Sequence, residues 1–135
     1  QAVRGVGFSG AYALLTEGRV ACAIVSGGIV SIAQTYARTD RYADIGVHTL
    51  AAWRGRGLAT AAASLVAQRI QEAGQIPVWS TGEDNVASLR VAEKLGFVEV
   101  SRRTYIIPAG RSLLTQLLGE NGYPGAKDTR VRLTQ

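Results

Sequence analysis

Residues 42–73 read YADIGVHTLAAWRGRGLATAAASLVAQRIQEA, and the spacing of their apolar side chains changes part-way along. Tyr42–Leu50 alternates in the manner of a strand. From Gly57 to Ala73 the apolar residues recur at helical spacing beside a polar stripe, which predicts an amphipathic helix ended by Gly74. A strand that gives way to a helix across a glycine-rich turn is typical of an α/β fold.

Further elements flank this unit on both sides. Gly27–Gly28 lies between two apolar runs, Val20–Ser26 and Ile29–Ala37, and predicts a hairpin with a tight primed turn. The sequence further predicts a strand over Ile76–Ser80, a helix over Asn85–Leu95 capped by Asp84, strands over Phe97–Arg102 and Thr104–Ile107, and a short helix over Arg111–Leu118. Ser9–Gly18 is compatible with a short helix and equally with a strand and a turn.

The order of these elements is hairpin, strand, helix, strand, helix, strand. It predicts an α/β (α+β) layer fold, in which a mixed sheet is flanked by helices. The unit from Tyr42 to Ser80 is expected to form a right-handed parallel crossover.

Length and composition exclude several classes of protein. The chain has 135 residues, of which 47% are hydrophobic and 19% charged, as expected of one globular domain. No apolar run approaches the roughly 20 residues of a membrane span, and no secretory signal opens the sequence, so a cytoplasmic location is expected. The absence of methionine is expected of a processed chain or of a piece of a longer protein.

The chain has a single cysteine, Cys22, and a single histidine. One cysteine excludes an internal disulfide, and the two residues together predict that the protein holds no structural metal ion. Cys22 is surrounded by small apolar residues and is expected to be buried.

The net charge of +5 is concentrated near the C-terminal end. Residues 1–100 hold nine Lys or Arg and eight Asp or Glu, whereas residues 101–135 hold six and two. A solvated charged end is the simpler interpretation, and an acidic partner or a nucleic acid is the alternative. Nucleic-acid binding ranks last, because the sequence lacks interleaved aromatic residues and a recognisable reading element.

The turn Arg54-Gly-Arg-Gly-Leu-Ala-Thr60 favours an anion site. The first N–H groups of a helix lack acceptors and lie at the positive end of the helix dipole, and Arg54 and Arg56 add two cationic side chains. Neither the Walker motif nor the dinucleotide motif is present. The turn therefore predicts a pyrophosphate site, with an ordinary glycine turn and solvent-facing arginines as the alternative.

A second motif follows at the next helix: Asn85-x-x-Ser88, then Ala92-Glu-Lys-Leu-Gly-Phe97. Together the two motifs resemble the GNAT superfamily of N-acetyltransferases. The first is similar to its acyl-CoA pyrophosphate loop, and the second to its asparagine-led helix that closes in Lys-Leu-Gly-Phe. The resemblance covers about residues 20–102. The Arg-Gly-Arg-Gly-Leu-Ala-Thr run is most similar to a subgroup that includes self-resistance enzymes against aminopolyol antibiotics.

The resemblance implies a centrally splayed sheet and acetyl-CoA as cosubstrate. The backbone of Val47, Thr49 and Leu50 would bind the pantetheine arm, and Asn85 and Ser88 would line the cofactor channel. For the last two residues, helix capping and a surface position are the alternatives. The pyrophosphate would be held by the turn and the start of the helix, namely by Arg54, Gly55, Arg56, Gly57, Leu58, Ala59 and Thr60.

The implied activity is direct transfer of an acetyl group from acetyl-CoA to an amine of a small molecule. The amine must lose a proton, and the candidate bases are Asp44 and His48, which strand alternation places on one face. The alternatives are a strand-end carboxylate paired with Arg38 or Arg41 and a half-buried polar histidine.

The sequence departs from the family at Ala92, where many members carry a tyrosine as the catalytic acid. Tyr105 or Ser88 is then expected to replace it, or the CoA thiolate leaves unaided. Trp79 is expected to pack in the core, and Trp53 to pack or to flank the cofactor.

Residues 1–108 are expected to form the acyl-CoA-binding domain and residues 109–135 a basic C-terminal extension. Family members carry a further strand and helices before the position of Val20, and these build much of the acceptor pocket. A preceding domain or a second subunit of a homodimer is expected to supply them. A non-catalytic acyl-CoA-binding or regulatory domain is the alternative function.

Overall fold

The computed structural model describes residues 15–16, 18–107 and 126–135. Their strands form one mixed sheet in the order β1-β2-β3-β4-β6-β5, and a short 3-10 turn, Ala51–Trp53, follows β3. The predicted α/β architecture is confirmed, whereas the helix expected over Arg111–Leu118 and most of Ser9–Gly18 lie outside the described residues. The elements are β1 (Val20–Val25), β2 (Gly28–Arg38), β3 (Tyr42–Thr49), α1 (Leu58–Glu72), β4 (Ile76–Gly82), α2 (Val86–Lys94), β5 (Val98–Ile107) and β6 (Ala126–Thr134).

The hairpin of β1 and β2 is antiparallel as predicted, but its turn lies one residue earlier. Val25 pairs with Gly28, so the two central residues are Ser26 and Gly27. Their φ angles are 48° and 80°, and a primed turn requires positive φ at both positions. Gly28 is therefore the first residue of β2 and not part of the turn.

The C-terminal part of the chain contributes two long strands. The two strands predicted within residues 97–107 form the single strand β5, with a register irregularity between Glu99 and Ser101. Residues 126–134, expected in the basic extension, form β6, which lies between β4 and β5 and is antiparallel to both. The expected boundary after residue 108 therefore does not separate β6 from the sheet.

Both helices pack on one face of the sheet, which we call the helix face. The buried side of α1 is rich in alanine, which lets the helix approach the strands closely, and Val66 and Ile70 are fully buried there. Burial of each of these two side chains contributes about 1.5–3 kcal/mol. Neither helix of the described part is long and apolar enough to cross a membrane. The core comprises Ala33, Ala43, Ile45, Ala62, Ala63, Val66, Ala67, Ile70, Trp79, Ala92, Phe97, Val131 and Leu133.

Trp79 and Cys22 test two expectations about the core. Trp79 is 1% exposed and packs edge-on against Phe97, with ring centroids 5.6 Å apart, which confirms its predicted role. Cys22, in contrast, is exposed. Its expected burial is wrong because Cys22 pairs with Ile32 on the face away from the helices, and β1 lies at the edge of the sheet that the described residues form.

The central strands β3 and β4 pair only where they begin. Residues 42–44 pair in parallel with residues 76–78, as the predicted crossover requires, although β3 continues to Thr49 and β4 to Gly82. Beyond these pairs the strands separate, and we call the gap between residues 45–49 and 79–82 the wedge. It opens toward the carboxyl ends of both strands, so the expected central splay is present.

Candidate functional site

The wedge lies where ligands commonly bind in sheets that contain parallel strands. β3 and β4 both lead, at their carboxyl ends, into helices on the helix face, so the N-termini of α1 and α2 follow the opening of the wedge. Crevices outside the carboxyl ends of neighbouring strands are the usual ligand sites of such sheets. The wedge therefore runs from a narrow end beside Asp44 to an open end that faces the glycine-rich turn.

The backbone of β3 presents alternate residues to the wedge. The Leu50 N–H donates to the Val30 carbonyl over 2.9 Å, and in an antiparallel ladder every second residue bonds to the same neighbour. The backbone groups of Ile45, Val47 and Thr49 consequently face away from β2. Val47 and Thr49 thus present backbone groups to the wedge, although the Thr49 carbonyl accepts a hydrogen bond from Arg54, and the Leu50 N–H is occupied by β2. Binding of the arm at these residues stays a prediction.

The turn before α1 leaves backbone donors without acceptors. Gly55 and Gly57 have φ angles of 72° and 77°, in the left-handed region that favours glycine. Gly57 is the N-cap and offers no side-chain cap, and the Ala61 N–H bonds to the Gly57 carbonyl over 3.0 Å. The N–H groups of residues 58–60 precede this first helical bond and lack acceptors within the helix. Together with the helix dipole they form a site for an anion.

Each of the two arginines of the turn has a defined contact. The Arg54 Nε donates to the Thr49 carbonyl over 3.1 Å and so ties the turn back to the end of β3. The Arg56 guanidinium lies 4.7 Å from the centre of the Trp53 ring, a cation–π distance. Trp53 therefore positions Arg56, and both positive charges stay near the start of α1.

Asp44 lies on the face of the sheet away from the helices, which we call the second face. Its half-buried carboxylate lies beside Ser80 of β4, which lines the same cavity. The positive charge that acts on it is that of Arg132, and not that of Arg38 or Arg41, which the strand-end interpretation predicted. Burial raises the pKa of the Asp44 carboxyl above its ordinary value of 3.8, although the polar groups of Ser80 and Ile45 and the charge of Arg132 oppose the shift.

Two adjoining cavities open on the second face beside Asp44. Their volumes are about 570 and 200 Å³, and both are lined by Asp44, Ser101 and Arg132. The larger is also lined by Ala37, Arg38, Thr39, Tyr42, Val78, Val100 and Thr134, and the smaller by Ser80, Arg103, Arg130 and Val131. A small molecule in either cavity would contact the carboxylate at the narrow end of the wedge.

Residues 7–106 match the model of the GNAT acetyltransferase family, which is most of the chain. The chain belongs to this family. No functionally curated protein matches the sequence. The comparisons identify the GNAT family and no subgroup within it.

Solved structures share the GNAT fold of this chain at low sequence identity. YncA from Salmonella typhimurium with its cofactor acetyl-CoA is 17% identical, with a TM-score of 0.67 over 90% of this chain and 65% of that one. The ribosomal-protein-S18-alanine N-acetyltransferase of Escherichia coli is 16% identical (TM-score 0.64, 88% and 68%). A GNAT acetyltransferase of Streptococcus pneumoniae is 15% identical (0.65, 84% and 64%). The chain thus spans about two thirds or less of the length of these proteins.

The asparagine motif of this GNAT chain has structural contacts. Asn85 is the N-cap of α2, and its Oδ1 accepts from the Ser88 N–H over 3.1 Å, so the cap is Asn85 and not Asp84. The Ser88 hydroxyl in turn accepts a hydrogen bond of 3.0 Å from the Trp79 indole N–H. These contacts agree with the capping interpretation, and a role for either residue in cofactor binding stays a prediction.

The position of the family's tyrosine is filled by a buried alanine. Ala92 is 0% exposed and belongs to the core between α2 and the sheet. Of the replacements considered, Ser88 is hydrogen-bonded to Trp79, and the side chain of Tyr105 lies outside the described part. The described residues of this GNAT chain therefore show no obvious replacement for the acid.

His48 shares the second face with Asp44, as strand alternation predicts, but does not join it. Four residues along a strand correspond to about 13 Å. His48 is exposed, and the described lining of the two cavities does not include it. Within the same described ranges, no group of three or more His, Cys, Asp or Glu side chains is placed to hold a metal ion.

Sequence reasoning missed two residues beside Asp44 and one beside Gly46. Ser80 and Arg132 come from β4 and β6, and no local pattern joins them to β3. Tyr36 is the extra residue of a bulge in β2, and its ring lies against Gly46, where an added Cβ would be 3.5 Å from the Tyr36 Cδ2. In residues 130–134, polar side chains alternate with the apolar Val131 and Leu133, both of which are buried. This alternation is a strand pattern and could have predicted β6.

Proposed function

We propose that this GNAT chain transfers an acetyl group from acetyl-CoA to an amine of a small molecule. The observation that supports this proposal most directly is the geometry of the wedge. It connects an anion-binding helix N-terminus with a cavity lined by a carboxylate, and between them it exposes backbone donors and acceptors. Transfer between a long phosphorylated carrier and a small amine needs these three features in that order.

Acetyl-CoA fits the described residues. Its pyrophosphate would meet the N–H groups of residues 58–60 and the charge of Arg56, and the amides of its arm would meet the backbone of Val47 and Thr49. Gly55 and Gly57 have no Cβ to obstruct this approach. The acetyl-CoA in the Salmonella typhimurium structure of the same fold supports this assignment.

Asp44 is the proposed proton acceptor. Acetyl-CoA supplies the acetyl group as a thioester, whose carbonyl carbon bonds to the amine nitrogen as the C–S bond breaks. An amine is largely an ammonium ion at neutral pH and must first lose a proton, which the Asp44 carboxylate accepts. A second proton leaves the nitrogen as the amide forms, and it passes to water. Its raised pKa makes it a stronger base than an exposed aspartate.

The thiolate is proposed to leave without a dedicated acid. Ala92 offers no hydroxyl, and thiols have pKa values near 8.5, so a CoA thiolate is a tolerable leaving group at neutral pH. Catalysis would then rest mainly on holding the two reactants in line, with Asp44 removing the proton.

A non-catalytic acyl-CoA-binding domain is the second candidate. The observation that favours it is the fully buried Ala92 in place of the family's hydroxyl. Under this interpretation the turn and the wedge bind acetyl-CoA as above, and no acceptor reacts.

Two measurements separate these candidates. Titration calorimetry with acetyl-CoA tests binding, and a thiol reagent then follows the release of free CoA with a panel of small primary amines. Binding together with amine-dependent thiol release is the expected result. Binding without release from any amine would favour the second candidate, and no binding at millimolar acetyl-CoA would refute both.

A further inference from the structure

Three guanidinium groups surround the smaller cavity on the second face. Arg103 of β5 lies directly opposite Arg130 of β6, and Arg132 pairs with Ser101, which also lines this cavity. Cross-strand partners project to the same side of a sheet, so the three arginines share the second face with Asp44. Asp44 is the one carboxylate among the described residues that line this cavity.

Two acids near β5 bind a residue on the other side of the sheet. Glu83 and Glu99 both form salt bridges with Arg102, each at 2.9 Å. Arg102 pairs with the buried Val131 and therefore lies on the helix-face side. Arg103 and Arg132 are exposed and form no salt bridge with the described side chains of residues 18–104 and 129–135.

We propose that the amine acceptor carries an oxyanion, a carboxylate or a phosphate, which Arg103 and Arg132 bind while the amine faces Asp44. This inference rests on the proposed acetyl transfer. A guanidinium binds either oxyanion through two parallel N–H···O bonds, which fixes the orientation of the ligand as well as its charge. An acceptor with both charges would place its ammonium beside the carboxylate and its anion beside the arginines.

Matched amines test the selectivity. The rate of CoA release is compared within three pairs: lysine and cadaverine, tyrosine and tyramine, phosphoethanolamine and ethanolamine. The member with the oxyanion is expected to have a kcat/KM higher by about tenfold or more in at least one pair, the contribution of a charged hydrogen bond. Equal or faster turnover of the member without the oxyanion in all three pairs would overturn the inference.

Single arginine variants test which residues produce the selectivity for an anionic acceptor. Arg103→Gln and Arg132→Gln are expected to raise KM for the anionic acceptor by about tenfold and to leave kcat within about twofold. Arg102→Gln is the control, since this neighbour on β5 lies on the other side of the sheet. Loss of selectivity in Arg102→Gln, or its retention in both other variants, would contradict the assignment.

Inorganic phosphate tests the anion site without turnover. Millimolar phosphate is expected to raise the melting temperature of the wild type and of Arg102→Gln more than that of Arg103→Gln or Arg132→Gln. Equal shifts in all four proteins would refute the site even if acetyl transfer is found. Unequal shifts in the expected order would support the site even if no amine is acetylated, so the two proposals fail separately.

Discussion

The Trp79 indole N–H donates a hydrogen bond of 3.0 Å to the Ser88 hydroxyl, which joins a buried side chain of β4 to the first turn of α2. Trp79 is 1% exposed, so water cannot replace this acceptor. Ser88→Ala is therefore expected to lower the free energy of unfolding by about 1–3 kcal/mol, the cost of an unpaired buried donor. Chemical denaturation measures it.

The same variant separates a structural role of Ser88 from a binding role. If the hydroxyl serves the core, the Kd for acetyl-CoA is expected to change by less than about twofold. Ser64→Ala, on the exposed side of α1, provides the control for loss of a helical hydroxyl. A weakened Kd with unchanged stability would assign Ser88 to the cofactor instead.

Gly57 and Gly74 form a matched pair for testing the pyrophosphate turn. Both have positive φ, 77° and 75°, and an added Cβ at either would meet nothing within 4 Å. Gly57→Phe and Gly74→Phe are thus expected to cost a similar 1–2 kcal/mol, roughly, from left-handed strain. Only Gly57→Phe is expected to abolish the rise in melting temperature on adding acetyl-CoA, because it covers the N-terminus of α1. An undiminished rise would remove the turn from the binding site.

Arg56 is expected to bind the pyrophosphate from its position on Trp53. Arg56→Gln should weaken acetyl-CoA binding by about tenfold in calorimetry, with the difference from wild type shrinking at high salt. Arg41→Gln is the control, because Arg41 lies over Tyr42 in the same way, 5.4 Å from the ring centre, at the other end of β3. An equal loss of acetyl-CoA affinity in both variants would show that the net charge of the protein, and not the position of Arg56, determines binding.

Asp44→Asn is expected to slow CoA release by about 100-fold or more, the usual contribution of a general base. Asp40→Asn, at an exposed position just before β3, should retain full activity. Turnover of Asp44→Asn that matched the wild type between pH 6 and 9 would exclude Asp44 as the base.

The contribution of Asp44 to the free energy of unfolding should depend on pH, in a direction set by the raised pKa of its carboxyl. The folded state favours the protonated carboxyl, so its contribution is complete below about pH 3.8 and is lost as the pH rises through the folded pKa. The unfolding free energy of the wild type minus that of Asp44→Asn is therefore expected to fall through this window and to level off above it. A difference that rises with pH would mean that the carboxylate is stabilised in the fold.

Ala92→Tyr tests whether the family's hydroxyl can be restored. Ala92 is fully buried, so a phenol ring overpacks the core and is expected to cost about 1–3 kcal/mol without raising the rate of CoA release. Ala87→Tyr places the same ring on the exposed side of α2 and should change stability by less than about 0.5 kcal/mol. A stable Ala92→Tyr protein with faster turnover would show that the reaction benefits from an acid at this position, and that the wild type lacks one.

Local patterns predicted most of the fold. The change of period after Leu50, and the glycines that follow both helices, depend only on neighbouring residues, and Gly74 and Gly96 indeed have φ angles of 75° and 81°. The hairpin turn was misplaced by one residue because Ser26–Gly27 and Gly27–Gly28 can both supply positive φ. The strand β6 escaped prediction because its partners β4 and β5 are remote from it in sequence.

The same distinction holds for the candidate site. The anion-binding turn is one continuous stretch, and its donors follow from helix geometry alone. The surroundings of Asp44 are not local, since Ser80 and Arg132 reach it from two other strands. Strand alternation correctly predicted that His48 and Asp44 lie on the same face of the sheet. That Asp44 lies at the narrow end of the wedge follows only from the structure, because it depends on where β3 and β4 separate.

The position of β6 between β4 and β5 has a consequence for synthesis on the ribosome. Until residues 126–134 have emerged, β4 and β5 cannot be joined, and each presents an unpaired edge. A nascent chain stalled or truncated before residue 126 is therefore an aggregation-prone intermediate and not a smaller folded domain. Quality control of this protein has to protect two open edges until translation has passed β6.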